Sequence, residues 1–275
     1  MPILEIQKVT RNFKGLTALY QIDAEVQELH QNFLDTATKA DPDLYAPEKY
    51  EVLTGISSRA IRVVAAAGRM PLLWSQEHGS FVLRSVVEAL IVLRWLIKKD
   101  DAVLYERFKA YGRGRMKLLK LHVEEYLDSL QDPPEELRRY AEHLDGLVNE
   151  DLMEEWQEIS LEGNFAGTDT RRMAADVQME RVYKLVFAPA SSTAHGEWTS
   201  IDRYALERCR NPLHRWHRVP RVDFSTPIGP DLITAALGFL EELIEAYKCA
   251  VDPQKVSMTP PRRARFAGCE SAPIR

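Results

Sequence analysis

The sequence predicts an all-α protein, a single bundle of about seven or eight helices. Apolar residues recur at three-and-four spacing in one stretch after another. No pair of runs has the spacing of a β-hairpin, and no repeat of fixed period is present. The first such stretch starts at Leu19 and continues through Ile22, Val26, Leu29, Phe33 and Ala37, one face of an amphipathic helix. Pro42 disfavours a helical conformation at Asp41, so the helix ends there. A second helix reads from about Lys49 to Ala67, with Tyr50, Leu53, Ile56, Ala60, Ile61 and Val64 inward and Gly68 and Pro71 as its stop.

The third helix, about Gly79 to Lys98, is the most apolar. Val82, Val86, Val87, Leu90, Ile91, Leu93 and Leu96 leave it little polar face, which predicts the centre of the bundle. Asp100 and Asp101 suit the N-terminus of a fourth helix reaching about Leu130. Pro133 and Pro134 open a fifth, with Glu135 and Glu136 in its first turn and Leu137, Tyr140, Leu144, Leu147, Leu152 and Trp156 along it. After a loop at 163–169, Asp169 or Thr170 caps a helix to about Phe187. Residues 189–230 read as short helices mixed with irregular chain, and a last helix runs from about Pro230 to Val251.

Composition narrows the class. The 275 residues are 45% apolar and 28% charged, with a formal net charge of -5, values of an ordinary globular protein without a cationic coat for nucleic acid. The longest apolar run, Val86 to Leu93, is interrupted by Glu88 and followed by Arg94, too short for a membrane span. The first residues lack the basic and apolar regions of a secretion signal. Cys209, Cys249 and Cys269 are odd in number and not in CxxC spacing, which fits a reducing cytoplasm and speaks against a disulfide framework or a cysteine zinc site. The expected organisation is an N-terminal extension at 1–18, a helical domain at 19–251 and a disordered basic tail at 252–275. That tail sets Lys255, Arg262, Arg263, Arg265 and Arg275 against Asp252 and Glu270.

Two stretches resemble known families. Residues from Pro2 to about Val26 are similar to the opening strand of ABC-transporter ATPases, where an aromatic at Phe13 would stack on adenine. The GxxxxGK[ST] loop that should follow is absent, so nucleotide hydrolysis is not carried over. On the third helix Arg84 and Glu88 stand four apart among apolar residues. Much later come Tyr183, Ser191, Ser192, His195 and Gly196. Arg-x3-Glu on an apolar helix followed by Tyr…Ser…His-Gly resembles a bacterial, all-helical family of unknown function, DUF 5677, over about residues 50–200 plus the last helix. The resemblance implies a fold and a polar cluster but no reaction.

Two functions follow. In the first, the chain is a cytoplasmic binding or interaction module. Its Arg84, Glu88 and His195 either lock helices together or line a cleft for an anionic small ligand, with Tyr183, Ser191 and Ser192 beside it. In the cleft form, Arg84 grips the anion, Glu88 holds the tautomer of His195, and His195 moves a proton. The second starts from Arg210 and His217, with six residues between them, and Arg208 and His214, with five. These spacings are similar to the Arg-x4-6-His motif of HEPN ribonucleases, which implies a metal-independent RNase, RNA as partner and a homodimer. Pro212 departs from that pattern unless it opens a helix. No cofactor and no metal is expected: His122 with Glu125 and Glu142 with His143 have the wrong order or spacing for the Glu-x-x-His elements of di-iron bundles, and His195 with Glu197 falls in a loop without a clear third ligand. Neither Gly-x-Ser-x-Gly nor HExxH occurs. Whether the chain is an enzyme turns on which reading holds.

Overall fold

The structure is a computed structural model. It describes residues 3–160, 163–222 and 229–251, with side chains from residue 17 onward. The basic tail at 252–275 lies outside the described residues. Helix α1 (Ile3–Ala37) runs without a break through the segment similar to an ATPase strand, so residues 3–18 are helix and not strand. Its apolar stripe buries Ile22, Val26 and Phe33 against α2 (Glu48–Gly68) and the last helix. Helix α2 buries Val52, Leu53, Ala60, Ile61 and Val64. The Trp74 Nε1–H donates to the Ala67 carbonyl at 2.9 Å, fixing the short 3-10 turn that follows α2.

Helix α3 (Gln76–Lys99) is the centre of the bundle. It starts three residues before the expected Gly79, because Ser75 Oγ accepts the His78 N–H and satisfies an orphan donor of the first turn. Val86, Val87, Leu90, Ile91, Leu93 and Leu96 have 0% exposure, as a helix covered on several sides requires. Asp101 caps α4 (Ala102–Ser129) through the Val103 N–H. Helix α5 (Glu135–Val148) folds back on α4 and stops before Leu152 and Trp156, which the periodicity had assigned to it. At that end the Asn149 amide donates to the Asp145 carbonyl while its oxygen accepts the Glu154 N–H, and Gln157 Nε2 donates to the carbonyls of Val148 and Leu152. Side chains thus take over the terminal carbonyls, and the chain turns back along α4.

This return is close. A Cβ at Gly114 would collide with the Glu158 carbonyl oxygen, and the collision is with backbone, which cannot rotate away. Gly114→Ala is expected to cost about 1–2 kcal/mol by forcing the 154–160 segment off α4. Urea unfolding followed by circular dichroism checks this; an unchanged midpoint would mean that the segment yields freely.

The helix expected over 170–187 is two pieces. Helix α6 (Thr170–Asp176), capped by Asp169 through the Arg172 N–H, ends where Gln178 takes a left-handed φ of 60°. The next segment runs through Pro189 instead of stopping there. Helix α7 (Glu180–Val182), a π turn (Tyr183–Phe187) and α8 (Ala188–Ala194) are continuous. In the π turn the Ala188 N–H reaches back five residues to the Tyr183 carbonyl. This wider turn opens the space where the Pro189 ring would strike the preceding carbonyls, so proline is accepted within the helix. Helix α9 (Trp198–Ser200) and a second π turn (Ile201–Ala205) follow.

A small antiparallel ribbon was not anticipated. Strands β1 (Leu206–Arg208) and β2 (Arg218–Pro220) pair Leu206 with Pro220, Glu207 with Val219 and Arg208 with Arg218. Residues 209–217 join them, a connection longer than the two to five residues of common hairpin loops. Arg218 and Asp202 form a two-pronged pair that ties the ribbon to the second π turn; it lowers the Asp202 pKa and raises that of Arg218. Helix α10 (Asp231–Val251) closes the core along α3, α2 and α1, with Ile233, Ala236, Leu240 and Leu243 at 0% exposure. Arg94 and Glu242, 2.9 Å apart, link α3 to α10 at the rim. Among the described residues no helix is long and apolar enough to cross a membrane.

Candidate functional site

Arg84 and Glu88 lie one turn apart on the face of α3 that meets the π turn and α8. Their closest approach, Nη1 to Oε2, is 3.5 Å, and their side chains are 26% and 37% exposed. The apolar surroundings in sequence suggested sealed charges; in space both reach water at the edge of the packing. The pair therefore contributes only about 0.3–0.5 kcal/mol, as other one-turn helix pairs do. Arg84 Nε donates to Ser191 Oγ at 3.3 Å, and its guanidinium lies 5.5 Å from the centroid of the Phe187 ring. Tyr183 stacks on that same ring at 5.2 Å. Arg84, Glu88, Tyr183 and Ser191 thus come together.

Ser191 and Ser192 both sit inside α8. Ser192 points away from Arg84's partner Ser191 and donates to Glu197 Oε2 at 2.8 Å. The end of α8 explains the His-Gly mark. The Gly196 N–H bonds the Thr193 carbonyl, the Glu197 N–H bonds the Ser192 carbonyl, and Gly196 has φ +63°. This is a Schellman C-cap, in which glycine supplies a left-handed conformation that other residues adopt at a cost. His195 is the residue before that glycine. Its ring is exposed and makes no hydrogen bond among the described residues, so Glu88 does not hold its tautomer through one.

Beside this cluster a cavity of about 560 Å³ opens between α3, the two π turns, α8, α9 and α10. Leu83, Val186, Pro189, Ala190, Leu232, Ala235 and Phe239 make its apolar wall; Ser80, Ser192, Thr193, Thr199, Ser200 and Arg203 bring polar groups to it. Arg203 Nη2 donates to Gln76 Oε1 at 2.8 Å, and the guanidinium lies 5.6 Å from the Tyr204 ring centroid. Among the described residues no carboxylate is paired with Arg203, so its charge is available to a ligand. The volume and the mix of apolar wall with a few polar groups suit a small molecule. Sequence reading missed Arg203 and the cavity: no spacing connects residues 76–83, 185–204 and 232–239.

The second pair of candidates stands elsewhere. Arg210 and His217 both lie, exposed, on the 209–217 connection of the ribbon and not on a helix; Pro212 opens a 3-10 turn there (Pro212–His214). Arg208 ends β1 and His214 ends that turn.

The molecule defined by these features is a mostly helical bundle built around one buried helix, with an arginine–glutamate pair on that helix and a Ser…His-Gly segment against it. The chain belongs to a family of unknown function (DUF5677), whose model matches residues 50–211. That match includes Arg84, Glu88 and the whole of the Tyr183–Gly196 segment, and it ends before α10. No curated protein and no solved structure matches the chain.

Proposed function

We propose that the chain is a cytoplasmic binding module whose cavity takes a small molecule with an apolar body and an anionic end. The observation that carries this reading is the cavity itself, with its apolar wall and, at its side, the Arg203 guanidinium, which pairs with no carboxylate among the described residues. Arg84, Glu88 and Ser191 have a supporting part: they fasten α8 to α3, and α8 carries Pro189, Ala190, Ser192 and Thr193 into the cavity wall. His195 and Gly196 end α8 at the right place. The RNase reading draws less support, because His217 Nδ1 is occupied by the His214 carbonyl at 3.1 Å and, among the described residues, no partner aims Arg210.

The test uses 8-anilinonaphthalene-1-sulfonate, an apolar anion that fluoresces when removed from water. Saturable binding of one dye per native chain is expected, weakened about tenfold by Arg203→Ala, the loss of roughly one charge-assisted contact. Ala190→Trp, which fills the wall, should abolish it. Binding that does not saturate, or that neither change alters, would sink the proposal.

A further inference from the structure

The connection of the ribbon brings together three side chains that the mechanism of binding above does not use. The Cys209 N–H donates to the His217 carbonyl at 2.8 Å, continuing the ladder by one bond and fixing the ends of the connection against each other. Arg215 and Trp216, with φ of 51° and 58°, fold the chain back so that the His214 and His217 rings lie 5.5 Å apart. One ligand atom from each of Cys209, His214 and His217 then falls within 4.8 Å of the others. We propose that Cys209, His214 and His217 form a three-ligand site for a zinc-class divalent transition metal, its fourth position open to water or an anion.

The donor set is the first argument. One thiol and two imidazoles are borderline-soft ligands that favour zinc and its neighbours over magnesium or calcium. Geometry is the second. A tetrahedral ion with bonds of about 2.3 Å to sulfur and about 2.0–2.1 Å to nitrogen holds these atoms roughly 3.5 Å apart. Cys209 Sγ and His214 Nδ1 are 3.5 Å apart. His217 is already oriented: its Nδ1–H donates to the His214 carbonyl at 3.1 Å, which leaves the Nε2 lone pair for the ion. The three ligand atoms, within 4.8 Å of one another, draw in to that spacing by turning the exposed imidazoles.

The third argument concerns protons. Asn211 Oδ1 accepts the Leu213 N–H at 3.0 Å, so the amide nitrogen faces His214 Nε2 at 3.1 Å and donates to it. Without metal, His214 therefore carries its proton on Nδ1, aimed at the sulfur. Coordination through Nδ1 shifts that proton to Nε2 and releases the thiol proton to solvent, and the thiolate meets one of the two charges of the ion. The new Nε2–H needs an acceptor, which Asn211 supplies only by turning its amide over. Asn211 is thus a positioning residue that opposes the metal in its present orientation. Arg208, Arg210 and Arg215 stand on the same stretch, all exposed, and their charge suits an anionic fourth ligand.

Cobalt(II) titration of the full chain tests this. One cobalt per chain is expected, with a thiolate charge-transfer band in the near ultraviolet and the strong visible absorption of a four-coordinate ion, both removed by added zinc. Cys209→Ser should delete the charge-transfer band. His214→Ala and His217→Ala should each weaken binding at least tenfold, with the helical circular dichroism unchanged because the connection is exposed. Asn211→Asp, whose carboxylate accepts from Nε2–H without turning, should tighten binding about tenfold. Cys249→Ser with Cys269→Ser should change nothing. Absence of the band in the wild type, or its survival in Cys209→Ser, would overturn the site.

Discussion

Trp95→Ala is expected to lower the unfolding free energy by about 3–5 kcal/mol, the range for removing a buried indole. Trp95 is 4% exposed and belongs to α3, yet what it holds lies outside α3. Its ring meets Phe165 edge-on at 6.2 Å, and Phe165 in turn meets Phe108 of α4 at 4.8 Å. Its Nε1–H donates to Asp176 Oδ2 at 3.1 Å at the end of α6, and Lys99 lies 5.6 Å from its ring centroid. One side chain therefore fastens the 163–169 loop, α4 and α6 to the centre. Trp95→Phe retains most of the ring packing and gives up the hydrogen bond, so it should cost about 1–2 kcal/mol. The Asp176 carboxyl is held below its ordinary pKa by Lys99 first and Trp95 second. A lowered carboxyl pKa stabilises above the unfolded-state value and loses that contribution as pH falls through the folded one, so Trp95→Phe should also soften the acid limb of stability. Urea unfolding at pH 7 and pH 4 measures both. A cost for Trp95→Ala under about 1 kcal/mol would mean that the loop and α6 are not fastened through this ring.

How far the sequence reveals this molecule depends on the range of the interaction that decides each feature. The helical class and the central place of α3 are legible because apolar spacing is local: Val86, Leu90 and Leu93 need only their own turn to declare a buried face. The helix starts at Asp101 and Asp169 are legible for the same reason, although sequence alone leaves Asp169 and Thr170 as alternatives for the cap. Features set by contact across the chain are not. The π turn that admits Pro189 depends on the Tyr183 carbonyl swinging to meet Ala188, which no propensity reports. Trp156 fits the apolar stripe of α5 by spacing, but Asn149 and Gln157 end the helix before reaching it and leave Trp156 72% exposed.

The candidate site divides in the same way. Arg84 and Glu88 are recognisable as a pair from their four-residue spacing; that Arg84 reaches Ser191 and not Ser192 is decided by how α8 lies on α3. The resemblance also marked His195-Gly196, whose backbone proves to be the C-cap of α8. The cavity needs three distant segments, so nothing local announces it. Cys209, His214 and His217 did carry a signal, a Cys-x4-His-x2-His spacing. That spacing joins a cysteine to histidines, so it shows neither as a CxxC pair nor as a carboxylate–histidine element.

Lys120 should give the second large effect, and its dependence on pH separates it from a simple packing change. The residue is 6% exposed on α4, with its ammonium 2.8 Å from Asp145 of α5, 3.4 Å from Glu124 and in direct contact with Glu154 of the returning segment. Exposed ion pairs rarely exceed about 1 kcal/mol. Removing the cation from a buried cluster costs more, about 3–5 kcal/mol, because the acids remain. Here the Asp145 and Glu124 side chains are 56% and 43% exposed and can turn to water, so Lys120→Met should cost about 2 kcal/mol at pH 7. The methionine keeps most of the apolar stem; the loss is electrical. Asp145 first, then Glu154, raises the Lys120 pKa above the ordinary lysine value. A raised lysine pKa stabilises fully below the unfolded-state value of about 10.4 and loses that contribution as pH climbs through the folded one, so the wild type should weaken in strong alkali more than Lys120→Met does. In acid the two should converge, since the difference between them is electrical and fades as the chain's carboxylates are neutralised. Stability curves of both chains from pH 3 to pH 11 decide the matter: a gap that stays constant across that range would show that Lys120 holds α4, α5 and the returning segment by shape alone, and a gap that is widest near neutrality by charge.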